Sequence, residues 1–187
     1  MYKGLTKLKK MIIALYVILG IIALIIILAL IAQKAYDVNR SIVINAPKDE
    51  VFKYLTFIKN QNDWSPWKKK DPNMKQEFIG TDGEVGFISK WEGNKDVGTG
   101  EQELISIQKE NDRIEVQLRF FKPWKSQSVG YYTVEELNPN ETKVVWGFQG
   151  KNPIPFNVFM LFFNFEKAVG KDFDEGLTSL KHILESK

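Results

Sequence analysis

The side chains best equipped for chemistry in this sequence are Glu101, Glu103, Arg119, Tyr131 and Tyr132, all on stretches that read as strands. A carboxylate enclosed by apolar side chains has its pKa raised and can serve as a general acid or base. An inward Glu101 or Glu103, helped by Arg119 or a tyrosine, would suit a cyclisation or a dehydration. The two glutamates share one parity along a strand, and the sequence leaves open which face that is. A ladder of charges on the wetted face accounts for the same residues. Other chemistries are excluded more firmly. The chain has no Cys and one His, His182, so thiolate catalysis and multi-His or Cys-based metal sites are out, and any hydrolytic triad would need that one residue. His182 and Glu166 fall on a helical pattern near the end of the chain, His182 beside its polar side. Gly98-Thr-Gly100 is a fragment of a dinucleotide fingerprint that leads into a strand rather than a helix, and no P-loop or nucleophile elbow occurs. No metal and no cofactor is expected, and enzyme activity stays open.

These residues need elements to hold them, and the first element holds none. Met11 to Ala32 carries no charge, and a helix of this length, at about 1.5 Å per residue, crosses a hydrocarbon core of ~30 Å. A cleaved signal peptide is the alternative, but its apolar region typically runs only about 7–15 residues and ends in a small-residue cleavage site, which Leu30-Ile31-Ala32 matches poorly. The expected division is a basic tail at 1–10, a transmembrane helix at 11–32, a linker at 33–37 and a folded domain at 38–187. Lys3, Lys7, Lys9 and Lys10 precede the span, so the positive-inside bias places the N-terminus in the cytoplasm and the domain outside. Those four lysines also explain the net charge of +3: without them the 26 basic residues fall to 22 against 23 acidic. A nearly neutral body is a poor partner for nucleic acid.

The body reads as α+β. Val38 to Asn45 predicts a strand, and Pro47 to Ile58 predicts a short amphipathic helix with Asp49 and Glu50 at its positive end. A polar stretch, Lys59 to Asp63, and Trp64-Ser-Pro-Trp67 follow. Strand patterns broken by turn signals run from Lys75 to Gln149. Ile114, Val116, Leu118 and Phe120 alternate with polar residues, and Val144, Trp146 and Phe148 repeat the pattern. Such strands suit an antiparallel sheet with one apolar face, or a β-sandwich. Phe162, Phe165, Val169, Phe173, Leu177, Leu180 and Leu184 then recur at helical spacing and predict a long amphipathic last helix. A one-faced sheet and a one-faced helix must cover each other, which disfavours the sandwich.

Ser41-Ile-Val-Ile-Asn-Ala-Pro-Lys-Asp-Glu-Val-Phe52 followed by Trp64-Ser-Pro-Trp67, the stretch Gly98-Thr-Gly-Glu-Gln-Glu-Leu-Ile105, and the ending from Phe165 to Lys181 resemble the polyketide cyclase/START-like (SRPBCC) superfamily. The resemblance covers residues 38–186, and its motifs mark a fold rather than a reaction. It implies the helix-grip fold: a curved antiparallel sheet of about seven strands gripping the C-terminal helix around a hydrophobic cavity. It implies no single function, since the family spans lipid carriage, cyclases and dehydratases, and co-chaperone modules.

Against that architecture the aromatic and aliphatic side chains become candidates for a cavity wall. The five tryptophans, Trp64, Trp67, Trp91, Trp124 and Trp146, are spread over segments that would rim or line it. Trp64, Trp67, Trp91 and Trp146 are expected at the cavity together with Val116, Leu118, Phe120, Tyr132 and Phe148 from the strands. Phe162, Val169 and Phe173 are expected there from the last helix. Packing alone accounts for any one of these rings, and only the set as a whole points to a pocket. Ile154 to Phe165 is apolar nearly all round, with Pro153 and Pro155 delaying helix. It reads as a buried helix start, or as a cavity gate or bilayer contact built on Phe156, Phe159, Met160 and Phe163.

Three functions fit. The first is a membrane-anchored domain that binds a hydrophobic small molecule or lipid without catalysis. The second is a cyclase- or dehydratase-like enzyme, and the third a protein-interaction module. The oligomeric state is open.

Overall fold

A stretch without charges or helix breakers stays helical, and α1 runs unbroken over Tyr2–Ile31. The lysine tail belongs to the same helix, because lysine is itself a good helix former. The computed structural model describes residues 2–123, 125–162 and 164–186, so Trp124 and Phe163 lie outside the described residues. The chain divides into two units, residues 1–36 with 151–164 and residues 37–150 with 165–187.

In the first unit, Lys7–Ile31 is long and apolar enough to cross a bilayer, with a mean hydropathy of 3.3 over its most apolar window. From Lys7 on, the helix is bare until its last turns, where Ala29 and Ala32 are covered, 1% and 4% exposed. Three residues apart, they share one face, and their methyl groups let another segment come close. That segment is a 3₁₀ helix at Phe156–Leu161. Its Asn157 is fully buried and donates through Nδ2 to the carbonyls of Ala29 at 2.7 Å and Ala32 at 3.1 Å. The last carbonyls of a helix have no donor of their own, and Asn157 supplies one. Asn152 adds a backbone bond to the Lys34 carbonyl at 2.9 Å, and its side chain donates to the Met160 sulfur at 2.8 Å. Regular helix is therefore delayed past Phe162, as Pro153 and Pro155 dictate by lacking donors.

Strand β1 covers Ala35–Ile44, in the second unit from Asp37 on, and starts three residues before the expected Val38, which shortens the linker. Helix α2 spans Lys48–Thr56, with Pro47 as its N-cap rather than its first residue, and extended Phe57 ends it before Ile58. The polar stretch that follows is helical. A 3₁₀ turn at Ile58–Asn60 is held by Asp82, whose carboxylate accepts from the amides of Ile58 and Lys59 at 2.8 and 3.2 Å. Helix α3 at Gln61–Trp64 and α4 at Pro66–Lys70 flank Ser65, which Pro66 forces into extended geometry.

Six further strands complete one seven-stranded sheet: β2 Lys75–Ile79, β3 Ile88–Glu92, β4 Thr99–Gln108, β5 Arg113–Lys122, β6 Ser126–Asn138 and β7 Glu141–Lys151. The order is β1-β7-β6-β5-β4-β3-β2, with antiparallel pairing from β2 through β7. The last helix, α5, is Phe165–Glu185. The alternation of β5 and β7 puts Ile114, Val116, Val144 and Trp146 in one core with Phe173, Leu177, Leu180 and Leu184 of α5. This is the helix-grip arrangement, and two stacked sheets are not formed.

Trp146 is the hinge pin of the grip. Its ring stacks on Phe173 at 4.3 Å and meets Trp64 and Trp67 edge-on at 4.8 and 5.5 Å. The helix can come this close because residue 176 is glycine: a Cβ there would stand 2.6 Å from the Trp146 ring and 3.2 Å from Pro66. Gly176→Ala gains up to ~1 kcal/mol of helix propensity but overpacks a ring held by four aromatic neighbours, at about 1–3 kcal/mol. A net loss of ~1–2 kcal/mol is expected in denaturant unfolding. A stabilised variant would mean that the ring yields.

Candidate functional site

The sheet and α5 leave a partly open pocket of about 290 Å³ in the second unit. Of the cavity candidates, Trp67, Trp91, Val116, Leu118, Phe120, Tyr132, Trp146, Phe148, Val169 and Phe173 line it. Two do not. Trp64 is 1% exposed in the packed core behind the wall, touching Tyr132 and Trp146 edge-on. Phe162 lies before α5, in the other unit, and is 80% exposed. Phe156, Phe159 and Met160 are not among the lining residues either, and Phe163 is outside the described residues.

Each wall has a local cause. β5 presents Val116, Leu118 and Phe120 on alternate positions. Trp91 on β3 packs edge-on to Phe120 at 5.8 Å, over Gly100, where a Cβ would strike the indole at 2.5 Å. The break at Ser65-Pro66 turns Trp64 into the core and Trp67 toward the space. Val169 and Phe173, four apart on α5, close the side facing the sheet.

The same parity decides the chemistry. Gln102 lines the pocket, so Glu101 and Glu103 point to the other face. There Arg119 bridges both, through Nη1 to Glu101 at 3.0 Å and Nη2 to Glu103 at 2.6 Å. These contacts, Glu103 first, favour the charged guanidinium. Glu101, Glu103 and Arg119 thus do not line the pocket, whose charged lining residues are Lys68, which donates to the carbonyl of Pro72 at 3.1 Å, and the exposed Asp96. Tyr131 also faces outward and donates to Asp37 at 2.7 Å, its pKa pushed up to about 12 chiefly by burial. His182 is exposed, and Glu166 pairs with Arg40 at 3.2 Å. Among the described residues no group of three potential metal ligands converges.

The other polar anchors are neutral, and sequence reasoning missed most of them. Gln102 donates through Nε2 to Gln61 at 2.9 Å, and Gln61 donates to the Tyr132 hydroxyl at 3.1 Å. Gln76 donates to Asn62 at 2.9 Å on the same wall. Burial alone raises the Tyr132 pKa, which keeps its hydroxyl protonated. That proton has no acceptor among the described residues, so Tyr132 can donate to a guest. Gln102 was detectable as the residue of opposite parity between two glutamates. Gln61 and Asn62 were hidden in a polar stretch without periodicity.

Residues 35–185 match the model of a family described as polyketide cyclase / dehydrase and lipid transport. No match was found among curated proteins. Among solved structures, norcoclaurine synthase from Thalictrum flavum, in complex with dopamine and hydroxybenzaldehyde, is similar with a TM-score of 0.59 at 13% identity, over 86% of this chain and 93% of its own. An uncharacterised Bacillus thuringiensis protein is similar at a TM-score of 0.56 and 16% identity, over 80% and 98% of the two chains. Aha1 from Colwellia psychrerythraea, solved as a dimer, gives 0.55 and 18%, over 80% and 96%. At these identities the likeness is one of fold.

Proposed function

Because the chain belongs to the polyketide cyclase / dehydrase and lipid transport family, we propose that it binds one compact hydrophobic molecule bearing an oxygen function and does so anchored to a membrane, with no catalysis required. The observation that carries this reading is the pocket itself: largely aromatic and aliphatic walls crossed by an uncharged relay, Gln102–Gln61–Tyr132, with Lys68 and the exposed Asp96 as the charged lining residues. Ligand sites are mostly apolar with a few convergent polar groups. A volume near 290 Å³ lies at the small end of such sites and suits one or two rings or a short chain rather than a two-chain phospholipid. A carbonyl or hydroxyl oxygen on the guest would take the free Tyr132 proton.

The anchor reading rests on Asn157. A signal sequence removed on export would take from Asn157 both carbonyls it donates to, about 0.5–1.5 kcal/mol for each hydrogen bond lost. Retention of α1 keeps its Nδ2 paired. Four lysines before the span, against Lys34 and Arg40 with Asp37 between them after it, favour a cytoplasmic N-terminus.

The test is titration of the full chain in lipid nanodiscs with N-phenyl-1-naphthylamine, read by energy transfer from Trp67, Trp91 and Trp146 and corrected with empty nanodiscs. Saturable 1:1 binding is expected, together with a small co-purifying molecule in native mass spectrometry. Absence of both would sink the proposal. Since Tyr132 is held neutral by burial and its pKa lies above the ordinary ~10 of tyrosine, affinity should be flat between about pH 7 and 9. A decline across that window would assign the anchoring to a group that titrates there.

A further inference from the structure

Outside α1, the three most exposed large apolar side chains of the described residues are Phe162, Phe159 and Phe156, at 80%, 70% and 62%. Ile154 and Leu161 beside them are 50% and 45% exposed. Five such side chains within nine residues make an apolar patch that water penalises, and a patch of this kind marks a surface with a partner. The partner is indicated by what the segment is tied to. Asn157 sits on the carbonyls of Ala29 and Ala32, and the Asn152 amide on that of Lys34. About 20 residues of helix cross a hydrocarbon core, which counted from Met11 ends near Leu30. The segment is therefore held at the level where a span would leave the acyl chains.

Charge agrees. Residues 1–36 and 151–164 contain Lys3, Lys7, Lys9, Lys10, Lys34 and Lys151 and not one acidic residue. Lys34 and Lys151 are exposed at the same end of α1 as the phenylalanines. Aromatic side chains beneath lysines are the arrangement that suits a headgroup layer over acyl chains.

Building on the anchor reading above, we infer that residues 153–162 form an interfacial collar, with Phe156, Phe159 and Phe162 immersed at the headgroup–acyl boundary around the exit of α1. Asn157 holds the collar at fixed depth. The segment is then neither a buried helix start nor part of the pocket wall.

The absence of cysteine allows a clean test on the full chain. Phe159→Cys and, separately, Ile22→Cys are labelled with the dye NBD and reconstituted into vesicles of phosphatidylcholine and phosphatidylglycerol. The Phe159→Cys label should be quenched at least about twofold more by a nitroxide near the headgroup than by one near the chain end, and Ile22→Cys the reverse. If Ile22→Cys behaves so but the Phe159→Cys label is quenched by aqueous iodide and not by nitroxide lipid, the collar is wrong while the anchor stands. Shielding of Phe159→Cys from both quenchers would assign the patch to a protein and also overturn it. Failure of nitroxide lipid to reach Ile22→Cys would bring down the anchor and the collar together.

Discussion

Trp146→Ala is expected to cost about 3–5 kcal/mol in denaturant unfolding, the largest single loss in the domain. The ring is 6% exposed and touches Trp64, Trp67, Tyr132 and Phe173, so its removal opens a cavity bounded by four aromatics, none of which can relax into it without losing another contact. It also deletes the contact that seats β7 against α5 at Gly176. The loss should appear as a lower midpoint with an unchanged slope against denaturant, the sign of altered stability in an unaltered unfolding reaction. Phe156→Ala, at an exposed position, serves as the comparison and should change stability by less than about 0.5 kcal/mol. Equal stabilities for the two variants would show that the grip does not depend on this ring.

Val169→Trp should weaken N-phenyl-1-naphthylamine binding by about 100-fold while leaving the fold intact. Val169 is half-buried on α5 and faces the open space, so a larger ring there occupies the pocket instead of displacing core atoms. Losing even one methylene of fit in an apolar pocket is worth about 10–200-fold, and an indole takes far more room than a methylene. Circular dichroism and the unfolding midpoint should stay close to those of the parent chain. Undiminished binding would place the probe elsewhere and remove the pocket from the functional reading. Combined with Leu118→Trp on the opposite wall, the effect should be less than additive, since one blocked cavity cannot be blocked twice.

The main lines of this structure could be read from the chain because they rest on periodicity. Ile114 to Phe120 alternates, Val169 to Leu184 repeats at helical spacing, and both patterns reappear as the two faces of the grip. What was hidden depends on tertiary geometry. Trp64 and Trp67 are equivalent by composition, yet one is core and the other wall, because Pro66 breaks the helix between them. The parity of Glu101 and Glu103 needed the register of β4 against β5, where Glu101 faces Arg119 and Gln102 faces Leu118. Ile154 to Phe165 was greasy enough to suggest a buried helix start, a cavity gate or a bilayer contact, and Asn157, which ties this stretch to α1, is a polar residue whose role exists only where α1 ends.

The relay of Gln102, Gln61 and Tyr132 has one more property. A carboxamide turned end over end exchanges donor for acceptor at almost no steric cost. Turning both glutamines reverses the direction of the whole hydrogen-bond chain, so that Tyr132 gives its proton to Gln61 and offers a lone pair to whatever lies beside it. With a guest bound as proposed, the Tyr132 hydroxyl would meet a ketone in one setting and an alcohol in the other, two oxidation levels of a single carbon skeleton.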